Sequence, residues 1–398
     1  SLSSKHEGIR AKSYEARIML RPKLVSETPL TAKFLSRINR FVIKCHLGGV
    51  GEVKAYMANP GRLGELLLPG APLLIETVSD DSARKLRYAA SAVFTGESFI
   101  GLNTHQANAV ARYLLKNKLI PTLENANIEK EEISIGRNRF DFLMSENRQK
   151  FLMEVKSVTL SSNKIAMFPD AITERGTRHL NELAKSKESI IKPVVLFISQ
   201  GLGNNLFMPD YHTDLVFSRT LLALKERLRI VPIEIKWDQN LELSDSVKLL
   251  DVPWSFLKTR MEDKGAYILV MEIPKACNIA IGSIGRVDVN PGYYLYAGSG
   301  MNGLSSRISR HLRKKKKLHW HVDFLRQVAG KVKAYPIRTP QYIEEELVLA
   351  LEQVFSPILP GFGASDSNLG THLFYSPSDP FLTKSFQVLL SKFRFNDS

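Results

Sequence analysis

The stretch FDFLMSENRQKFLMEVK, residues 140–156, decides how the fold is interpreted. Two apolar segments of strand length flank a polar centre, a pattern that predicts two antiparallel strands joined by a tight turn. If the turn is centred on residues 147–148, Asp141 lies opposite Glu154, with the two Cβ atoms about 5 Å apart. Lys156 falls on the same face as Glu154 because strand side chains alternate with period two.

Asp141, Glu154 and Lys156 are therefore candidate catalytic residues. Two carboxylates held opposite each other repel, and a hard divalent cation relieves that repulsion. Since Mg²⁺ characteristically takes one or two carboxylates plus waters and phosphate oxygens, the two acids are candidate ligands for Mg²⁺ (or Mn²⁺). A lysine beside the metal orients or deprotonates the attacking water, or stabilises charge on the phosphate. The alternative is ordinary charge alternation on a half-exposed strand.

The sequence on both sides of this hairpin predicts two kinds of domain. Between residues 34 and 92, short strands separated by Gly and Pro turns predict a small curled sheet or barrel. Downstream, helices and strands alternate, and this alternation is typical of an α/β unit. Its predicted elements are a helix at 170–185, a buried strand at 194–199, a helix at 218–229 and a strand at 230–236.

Charge and composition indicate a nucleic-acid partner. The 398 residues include 55 Lys and Arg against 40 Asp and Glu, a net charge of +15. Residues 264–338 alone hold fourteen Lys and Arg against three acids, so +11 of the surplus lies there. Such a concentration favours binding of a polyanion over a uniformly solvated surface.

The sequence also indicates the compartment. No apolar run reaches the roughly 18–20 residues needed to span a bilayer, so no membrane partner is expected. The two cysteines form neither a disulfide framework nor a four-thiolate zinc site, which predicts a reducing, cytoplasmic location. The chain begins with Ser1, and residues 1–16 are polar without a secretory apolar core, although a transit-peptide remnant remains an alternative.

Several longer motifs resemble the sugar fermentation stimulation protein A family. They are EVKSVTL (154–160), AMFPDAITERGTRHL (166–180), RNRFDFL (137–143), GLNTHQAN (101–108) and NPGRLGEL (59–66). The resemblance covers roughly residues 34–236 and implies a small OB-like barrel followed by a PD-(D/E)xK nuclease-like domain. It also implies DNA binding, with Asp141 and Glu154 as metal-binding acids and Lys156 as the catalytic lysine.

The same resemblance suggests candidate nucleic-acid contacts in a Pro/Gly turn, in a basic pair and on the helix after residue 170. For His179 the alternative is a helix-surface or packing role. For the two residues of the Pro/Gly turn it is ordinary turn chemistry, and for the basic pair it is solvated charge. The candidates are Asn59, Arg62, Arg84, Lys85, Arg175 and His179.

The C-terminal part resembles a GIY-YIG endonuclease. Gly265-Ala-Tyr267 and Tyr296-Ala-Gly298 match the two signature tripeptides, although residues 273–291 form a longer insert than that family usually shows. In that family a tyrosine activates water, an arginine stabilises the transferring phosphate and a glutamate holds one divalent metal. The resemblance carries these catalytic roles to Tyr267, Tyr296, Arg307 and Glu346, with Glu346 as the metal ligand.

A basic run follows Arg307, and we expect it to grip phosphates in a salt-dependent manner. The alternative is a flexible loop with no specific role. His319, His321 and Asp323 alternate, so two of them are potential metal ligands on a strand face, or simply packing residues. The basic candidates are Arg310, His311, Arg313, Lys314, Lys315, Lys316 and Lys317.

The predicted fold class is multi-domain α/β: an OB-like β-barrel, a PD-(D/E)xK nuclease-like α/β domain and a GIY-YIG-like α/β domain. The expected function is DNA binding with divalent-metal-dependent phosphodiester hydrolysis. The alternatives are a non-catalytic DNA-binding regulator of sugar metabolism genes and an RNA-processing enzyme. The predicted boundaries are an extension at 1–26, the barrel at 27–95, the nuclease-like domain at 96–255, a linker at 256–263, the GIY-YIG-like domain at 264–380 and a tail at 381–398.

Overall fold

The N-terminal domain is a β-barrel. The structure, a computed structural model, describes residues 20–25, 28–78, 86–185, 192–364 and 368–395. The first strands in chain order are β1 (Leu30–Asn39), β2 (Val42–Leu47), β3 (Gly51–Tyr56), β4 (Pro72–Thr77), β5 (Tyr88–Phe94) and β6 (Phe99–Gly101).

These strands lie in the order β3-β2-β1-β4-β5-β6. A parallel pairing of β3 with β5, at Ala55–Tyr88 and Tyr56–Ala89, closes the first five strands into a barrel. Closure of five strands in this order is the arrangement of an OB fold, so the predicted OB-like barrel is confirmed. The sheet continues through β6 to Gly101, beyond the boundary predicted at residue 95.

The central domain has mixed α/β architecture. Its elements are α1 (Gln106–Lys116), β7 (Asn127–Ile135), β8 (Asn138–Glu146), β9 (Gln149–Val158), β10 (Leu160–Ser162), β11 (Ile165–Phe168), α2 (Glu174–Ala184), β12 (Val194–Gln200), β13 (Leu206–Pro209), α3 (Leu215–Leu224), β14 (Arg229–Trp237), β15 (Leu243–Leu249) and α4 (Trp254–Arg260). Helix α4 covers much of the segment predicted as a linker.

The main sheet of this domain has the order β15-β14-β12-β9-β8-β7, with β9, β12 and β14 parallel. Strand β12 is buried along its whole length, because helices cover both of its faces. Leu196 packs in the cluster that includes α1, and its neighbour Val195 packs in the cluster that includes α2 and α3. The sheet therefore holds β8 and β9 between two helical layers.

The hairpin of β8 and β9 has the predicted register. Phe142 pairs with Met153, and Glu146 pairs with Gln149. The two turn residues at 147–148 adopt positive φ angles of 51° and 66°, as a two-residue turn between twisted strands requires. This register places Asp141 and Glu154 on neighbouring strands, as predicted.

The C-terminal domain is built on an antiparallel sheet of order β20-β16-β19-β22-β21. Its elements are β16 (Gly265–Ile273), β17 (Cys277–Ile281), β18 (Gly285–Val289), β19 (Gly292–Ser299), α5 (Leu304–Leu312), α6 (His321–Val328), β20 (Val332–Arg338), α7 (Glu344–Glu352), β21 (Ser356–Pro357), β22 (Leu373–Ser376) and α8 (Lys384–Phe395).

Two segments that the sequence analysis named only as an insert and a tail form regular elements in this domain. The insert at 273–291 forms the β17–β18 hairpin. The predicted tail at 381–398 contains α8, whose Phe386 and Leu389 pack with Val348 of α7 in one core cluster. Helix α8 is therefore an integral part of the C-terminal domain.

The C-terminal domain docks firmly on the central domain through His212. The buried Nδ1 atom of His212 accepts from the Arg338 backbone N (2.8 Å), and Nε2 donates to the Arg394 carbonyl oxygen (2.9 Å). Burial and the nearby Arg394 lower the pKa of His212, so the ring is neutral in this role.

Among the helices in the described ranges, none has the length and apolar character needed to cross a membrane.

Candidate functional site

The first candidate site is a cleft of about 880 Å³ between the barrel and the central domain. Its floor comes from β8 and β9, and its rim comes from α1, the turn at 59–61 and the segment 167–175. The polar side chains that line it are those of Arg40, Asn59, Thr104, His105, Asn108, Arg112, Glu132, Asp141, Glu154, Lys156, Ser157, Thr159, Asp170, Thr173, Glu174 and Arg175. We call this the first cleft.

Asp141 is held rigidly in the first cleft. Its carboxylate accepts hydrogen bonds from Asn108 Nδ2 (2.7 Å) and from the Val155 backbone N (2.7 Å). Burial, together with the charge of Glu154, raises the pKa of Asp141, and these hydrogen bonds offset only part of that rise. A carboxylate in this state gains stability from any cation that binds beside it.

Glu154 has one occupied and one free carboxylate oxygen. Its Oε1 atom accepts from Lys156 Nζ (2.5 Å) and lies 2.8 Å from His179 Nδ1. Burial acts to raise the pKa of Glu154, but His179 and Lys156 outweigh it and keep the carboxylate ionised. The side chain is only 5% exposed, and its buried Oε2 atom has no hydrogen-bond partner among the described residues. A buried, ionised and unpartnered oxygen is costly unless a ligand satisfies it.

The residues present fit a hard divalent cation with few protein ligands. No group of three or more His, Cys, Asp or Glu side chains suited to a metal occurs in the described part of the chain. Asp141 and Glu154 therefore offer a two-carboxylate site, and Mg²⁺ is commonly held by one or two carboxylates with waters and phosphate oxygens.

The structure corrects the prediction for His179 and reveals a role for Asn108. His179 lies on α2, is buried and bonds to Glu154, so it is a positioning residue and not a phosphate contact. Arg175, one turn earlier, is exposed on the rim of the first cleft. Sequence reasoning missed Asn108, although it ends the quoted motif GLNTHQAN at 101–108.

The predicted contacts around residue 60 divide between two places. Asn59 lines the first cleft and is buried, with its Oδ1 accepting from the Gly61 backbone N (2.9 Å), so it shapes the turn. Arg62 points away from this cleft toward the C-terminal domain, with its guanidinium 5.9 Å from the centre of the Tyr335 ring. Arg84 and Lys85 lie outside the described residues.

The second candidate site is a cleft of about 350 Å³ in the C-terminal domain, here called the second cleft. Tyr267, Tyr296 and Arg307 all line it, as predicted. Its shape depends on Gly298, because a Cβ atom there would lie 2.5 Å from the Tyr267 hydroxyl oxygen. The strand pairing of Tyr267 with Gly298 brings the two signature tripeptides side by side.

The two phenols of the second cleft are protonated at neutral pH. Burial and the neighbouring Tyr296 raise the pKa of Tyr267 well above its usual value, and burial also raises that of Tyr296. Both hydroxyl groups are therefore suited to orienting a water or a phosphate by hydrogen bonding, and not to acting as phenolate bases.

Glu346 does not join the second cleft, and Glu344 takes its place. Glu346 is exposed and does not line the cleft, because residues two apart on a helix point to nearly opposite sides. Glu344 lines it, with Oε1 3.1 Å from His372 Nδ1. Burial acts to raise the pKa of Glu344, but hydrogen bonds from His372 and Ser299 and the charge of Arg307 outweigh it and lower the pKa.

A stack of aromatic and cationic groups positions Arg307. Its Nη1 atom donates to the Ser299 carbonyl oxygen (2.9 Å), and its guanidinium lies 4.5 Å from the centre of the Trp320 ring. The Arg310 guanidinium lies 4.9 Å from the same ring and donates to both carboxylate oxygens of Asp323. Asp323 therefore fixes Arg310, and Trp320 supports both arginines.

Three residues that were predicted to contact phosphates are instead buried or paired within the protein. Arg310 is paired with Asp323, His311 is fully buried, and Lys316 donates to Asp323 Oδ1 (2.8 Å) with only 6% of its side chain exposed. A charge that a buried carboxylate already balances is not free to bind a phosphate. The remaining basic residues of the run are exposed: Arg313, Lys314, Lys315 and Lys317.

The alternating His319, His321 and Asp323 do not form the predicted strand face. Helix α6 begins at His321, so the period of two is lost. Asp323 is wholly buried and accepts from the backbone N atoms of His319 (3.0 Å) and Trp320 (3.1 Å). His321 and His319 line the second cleft, but Asp323 is already satisfied by the protein.

Family models match three consecutive parts of the chain. The model described as "SfsA N-terminal OB domain" matches residues 35–102, and the "Sugar fermentation stimulation protein RE domain" matches residues 105–241. The "Domain of unknown function DUF123" matches residues 266–395. The three matches correspond to the barrel, the central domain and the C-terminal domain.

Relatives match the first two of these domains. The chain is 37% identical to a sugar fermentation stimulation protein homolog of Clostridium novyi over 224 residues, or 56% of this chain and 97% of the relative. A homolog from Methanothermobacter thermautotrophicus is 31% identical over 218 residues, or 54% of this chain and 90% of the relative.

A solved structure matches a similar share of the chain. The structure of Pyrococcus furiosus SfsA in complex with Ca²⁺ superposes with a TM-score of 0.51 at 25% identity. The superposition covers 58% of this chain and 99% of that protein. These relatives have almost no sequence left over for a counterpart of the C-terminal domain.

Proposed function

Because the chain belongs to the sugar fermentation stimulation protein family, we propose that it is a DNA-binding, divalent-metal-dependent phosphodiesterase that acts at the first cleft. The observation that carries this proposal is the buried Oε2 atom of Glu154 beside Asp141, which has no hydrogen-bond partner in the described parts of the chain. A protein that only binds DNA has no need for two repelling carboxylates at the floor of a cleft.

Asp141 and Glu154 would hold the metal, and Mg²⁺ or Mn²⁺ suits their oxygen ligands. The related Pyrococcus furiosus protein is known in complex with Ca²⁺, another hard cation with oxygen ligands. When bound, such an ion supplies charge stabilisation at the phosphate and lowers the pKa of a coordinated water. Asn108 and His179 keep the two carboxylates in place.

Lys156 provides the cationic group of the first cleft. Its ammonium donates to Glu154 Oε1, and it lines the cleft on the same strand. From this position it orients the attacking water or stabilises the negative charge that develops on the phosphate oxygens. Arg175 and Arg40 on the rim add positive charge for the DNA backbone.

The second cleft is proposed as a further phosphodiesterase site, of the GIY-YIG type. Arg307 is held toward the cleft by Ser299 and Trp320, where it stabilises charge on the phosphate. The Tyr267 and Tyr296 hydroxyl groups orient the water or phosphate, and Glu344 would hold one divalent metal. The exposed lysines at 314, 315 and 317 supply attraction for the backbone.

One experiment tests both proposals. The protein is incubated with single-stranded, duplex and branched DNA, and with RNA, in Mg²⁺ or Mn²⁺, beside Glu154→Gln, Glu344→Gln and the double variant. We expect Glu154→Gln to remove most cleavage and the double variant to remove all of it. Thermal unfolding with and without Mg²⁺ gives a second readout, because bound metal stabilises the folded state by mass action.

The results separate the alternatives. Binding without cleavage on every substrate, with no shift in unfolding temperature on adding metal, would contradict the phosphodiesterase proposal and favour a non-catalytic regulator. Cleavage that only Glu344→Gln abolishes would make the first cleft a binding platform. Preferential cleavage of RNA would show that RNA, and not DNA, is the substrate.

A further inference from the structure

A third cavity, of about 640 Å³, lies where all three domains meet. Its walls come from β1 and the loop carrying Arg62, from Ile172 and Thr213 of the central domain, and from α5 and β20. The relatives described above match about 56% of the chain and have no room for the C-terminal domain that supplies two of these walls. The cavity, here called the junction cavity, is therefore a product of the domain fusion.

The junction cavity adjoins the first cleft. Ile172, which is 67% exposed, lines both spaces. The loop between them is held by Arg37, whose guanidinium donates to the carbonyl oxygens of Asn59 (2.8 Å) and Arg62 (3.1 Å). Asn59 faces the first cleft and Arg62 faces the junction cavity, so this short loop is their common wall.

The junction cavity also adjoins the second cleft through α5. Ser305 and Ser309 of that helix line the cavity, while Arg307 lines the second cleft. His212 fixes the C-terminal domain against the central domain, with bonds to both β20 and α8. The cavity therefore holds a fixed position between the two candidate sites.

The lining of the junction cavity combines apolar surface with positive charge. Leu312, which is 36% exposed, and Ile172 present aliphatic surface. The Arg62 guanidinium lies over the Tyr335 ring, and no side-chain hydrogen bond from it occurs among the described residues. Lys333 Nζ is 3.9 Å from the carboxylate of Asp379, which is the one acid among the described residues of the lining.

We infer that the junction cavity binds unpaired nucleotides of the DNA strand whose scissile phosphate lies in the first cleft. The inference rests on the proposed function. Unpaired bases pack against apolar side chains and stack on guanidinium planes, while phosphates pair with Arg62 and Lys333, so this lining matches single-stranded nucleic acid. A cavity of 640 Å³ is within the range of about 300–1,000 Å³ for small ligands and is too small for a duplex.

This inference makes the preferred substrate a duplex with a single-stranded extension. The test measures the affinity of the full-length protein, in EDTA so that no metal-dependent cleavage occurs, for a blunt duplex and for the same duplex with a short thymidine extension of either polarity. The variants are Leu312→Glu, which places a negative charge in the cavity, and Arg62→Gln. The matched control is Val388→Glu on α8, a residue that is 57% exposed and lines none of the three spaces.

We expect wild type and Val388→Glu to bind the extended duplex at least about tenfold more tightly than the blunt one, or about 1.4 kcal/mol. Leu312→Glu and Arg62→Gln should both lose this preference and retain the affinity for blunt duplex. Arg62→Gln adds no new charge, so the test remains valid even if Leu312→Glu does not fold. Equal binding of the two duplexes by wild type, or a preference that survives in both variants, would overturn the inference.

Failure of the inference and failure of the proposed function give different results. Cleavage in Mg²⁺ without any preference for an extension would support the phosphodiesterase proposal and contradict the binding of unpaired nucleotides in the junction cavity. A preference that both variants abolish, without cleavage, would support nucleotide binding in the junction cavity and contradict the phosphodiesterase proposal. Absence of affinity for both duplexes contradicts both.

Discussion

The first cleft and the second cleft differ in how the carboxylates that line them are paired. In the first, Asp141 and Glu154 face each other, and one oxygen of Glu154 has no partner in the described structure. In the second, Glu344 is the one carboxylate of the described lining and is already bonded to His372 and Ser299. In the first arrangement one carboxylate oxygen has no partner among the described residues, whereas in the second the carboxylate is already held by protein hydrogen-bond donors.

This difference indicates where each cleft obtains its electrostatic stabilisation. The first cleft would depend on a bound metal, because the Glu154 Oε2 atom beside Asp141 has no partner among the described residues. The second cleft holds Arg307 in place through Trp320 and Ser299, so a cation for the phosphate is present before any metal binds. Each prediction below tests this contrast.

The largest effect is expected for Glu154→Gln. The change removes a charged metal ligand, which is worth several kcal/mol at the phosphate, so the rate of Mg²⁺-dependent cleavage should fall by roughly 10³-fold. Initial rates on duplex and extended DNA measure this loss. The matched control is Glu226→Gln, an exposed glutamate of the same domain, which should cut at the wild-type rate. A modest loss for Glu154→Gln would place the main activity in the second cleft.

Asp323→Asn should cause the next largest effect, on stability. Asp323 is fully buried and balances Arg310 and Lys316, so its loss leaves two uncompensated cations and costs about 3 kcal/mol of unfolding free energy. Urea unfolding measures the loss. Asp288→Asn, at an exposed position in the same domain, is the control. If Asp323→Asn unfolds like the control, the second cleft is not preorganised by this network.

The sequence predicted the first cleft better than the second for a physical reason. The residues Asp141, Glu154 and Lys156 lie on one hairpin, and the turn at 147–148 fixes their register locally. The acid of the second cleft depends on where α7 begins, and three successive glutamates at 344–346 give no local signal for the phase of the helix.

The partners of individual charged side chains were also beyond sequence reasoning. Arg62 was a candidate nucleic-acid contact in a Pro/Gly turn, and its guanidinium lies over Tyr335 of another domain. Lys316 belongs to a run of four lysines that look equivalent in sequence, yet it alone bonds to the buried Asp323. The barrel, the α/β alternation and most element types follow from hydrophobic periodicity, whereas the partner of a given side chain depends on tertiary packing.

A smaller effect should separate two neighbouring glutamates of α7. Glu344→Gln removes the carboxylate of the second cleft, and we expect about a 100-fold loss of the residual cleavage seen in a Glu154→Gln background. Glu346→Gln, two residues further along the same helix and exposed, serves as the matched control and should have no effect. The opposite result would assign the metal ligand to Glu346 and would show that Glu344 only positions His372.

The smallest effect is a difference in pH dependence between the two regions. Burial raises the pKa of Asp170, near the first cleft, to about 6, above the value of about 3.9 in unfolded chains. The folded state then holds this proton more tightly, so this contribution to stability falls as the pH rises from about 4 to 6. Burial lowers the pKa of His311, beside the second cleft, to about 4, below the unfolded value of about 6.5.

For His311 the sign is reversed, because the folded state holds the proton less tightly and stability falls as the pH drops from about 6.5 to 4. The two contributions therefore oppose each other in wild type. Relative to wild type, Asp170→Asn should make stability rise more steeply with pH over this window, and His311→Phe should make it rise less steeply. Unfolding temperatures measured at intervals between about pH 4 and 6.5 test both. Slopes that shift in the same direction in the two variants would contradict the opposite pKa shifts assigned to Asp170 and His311.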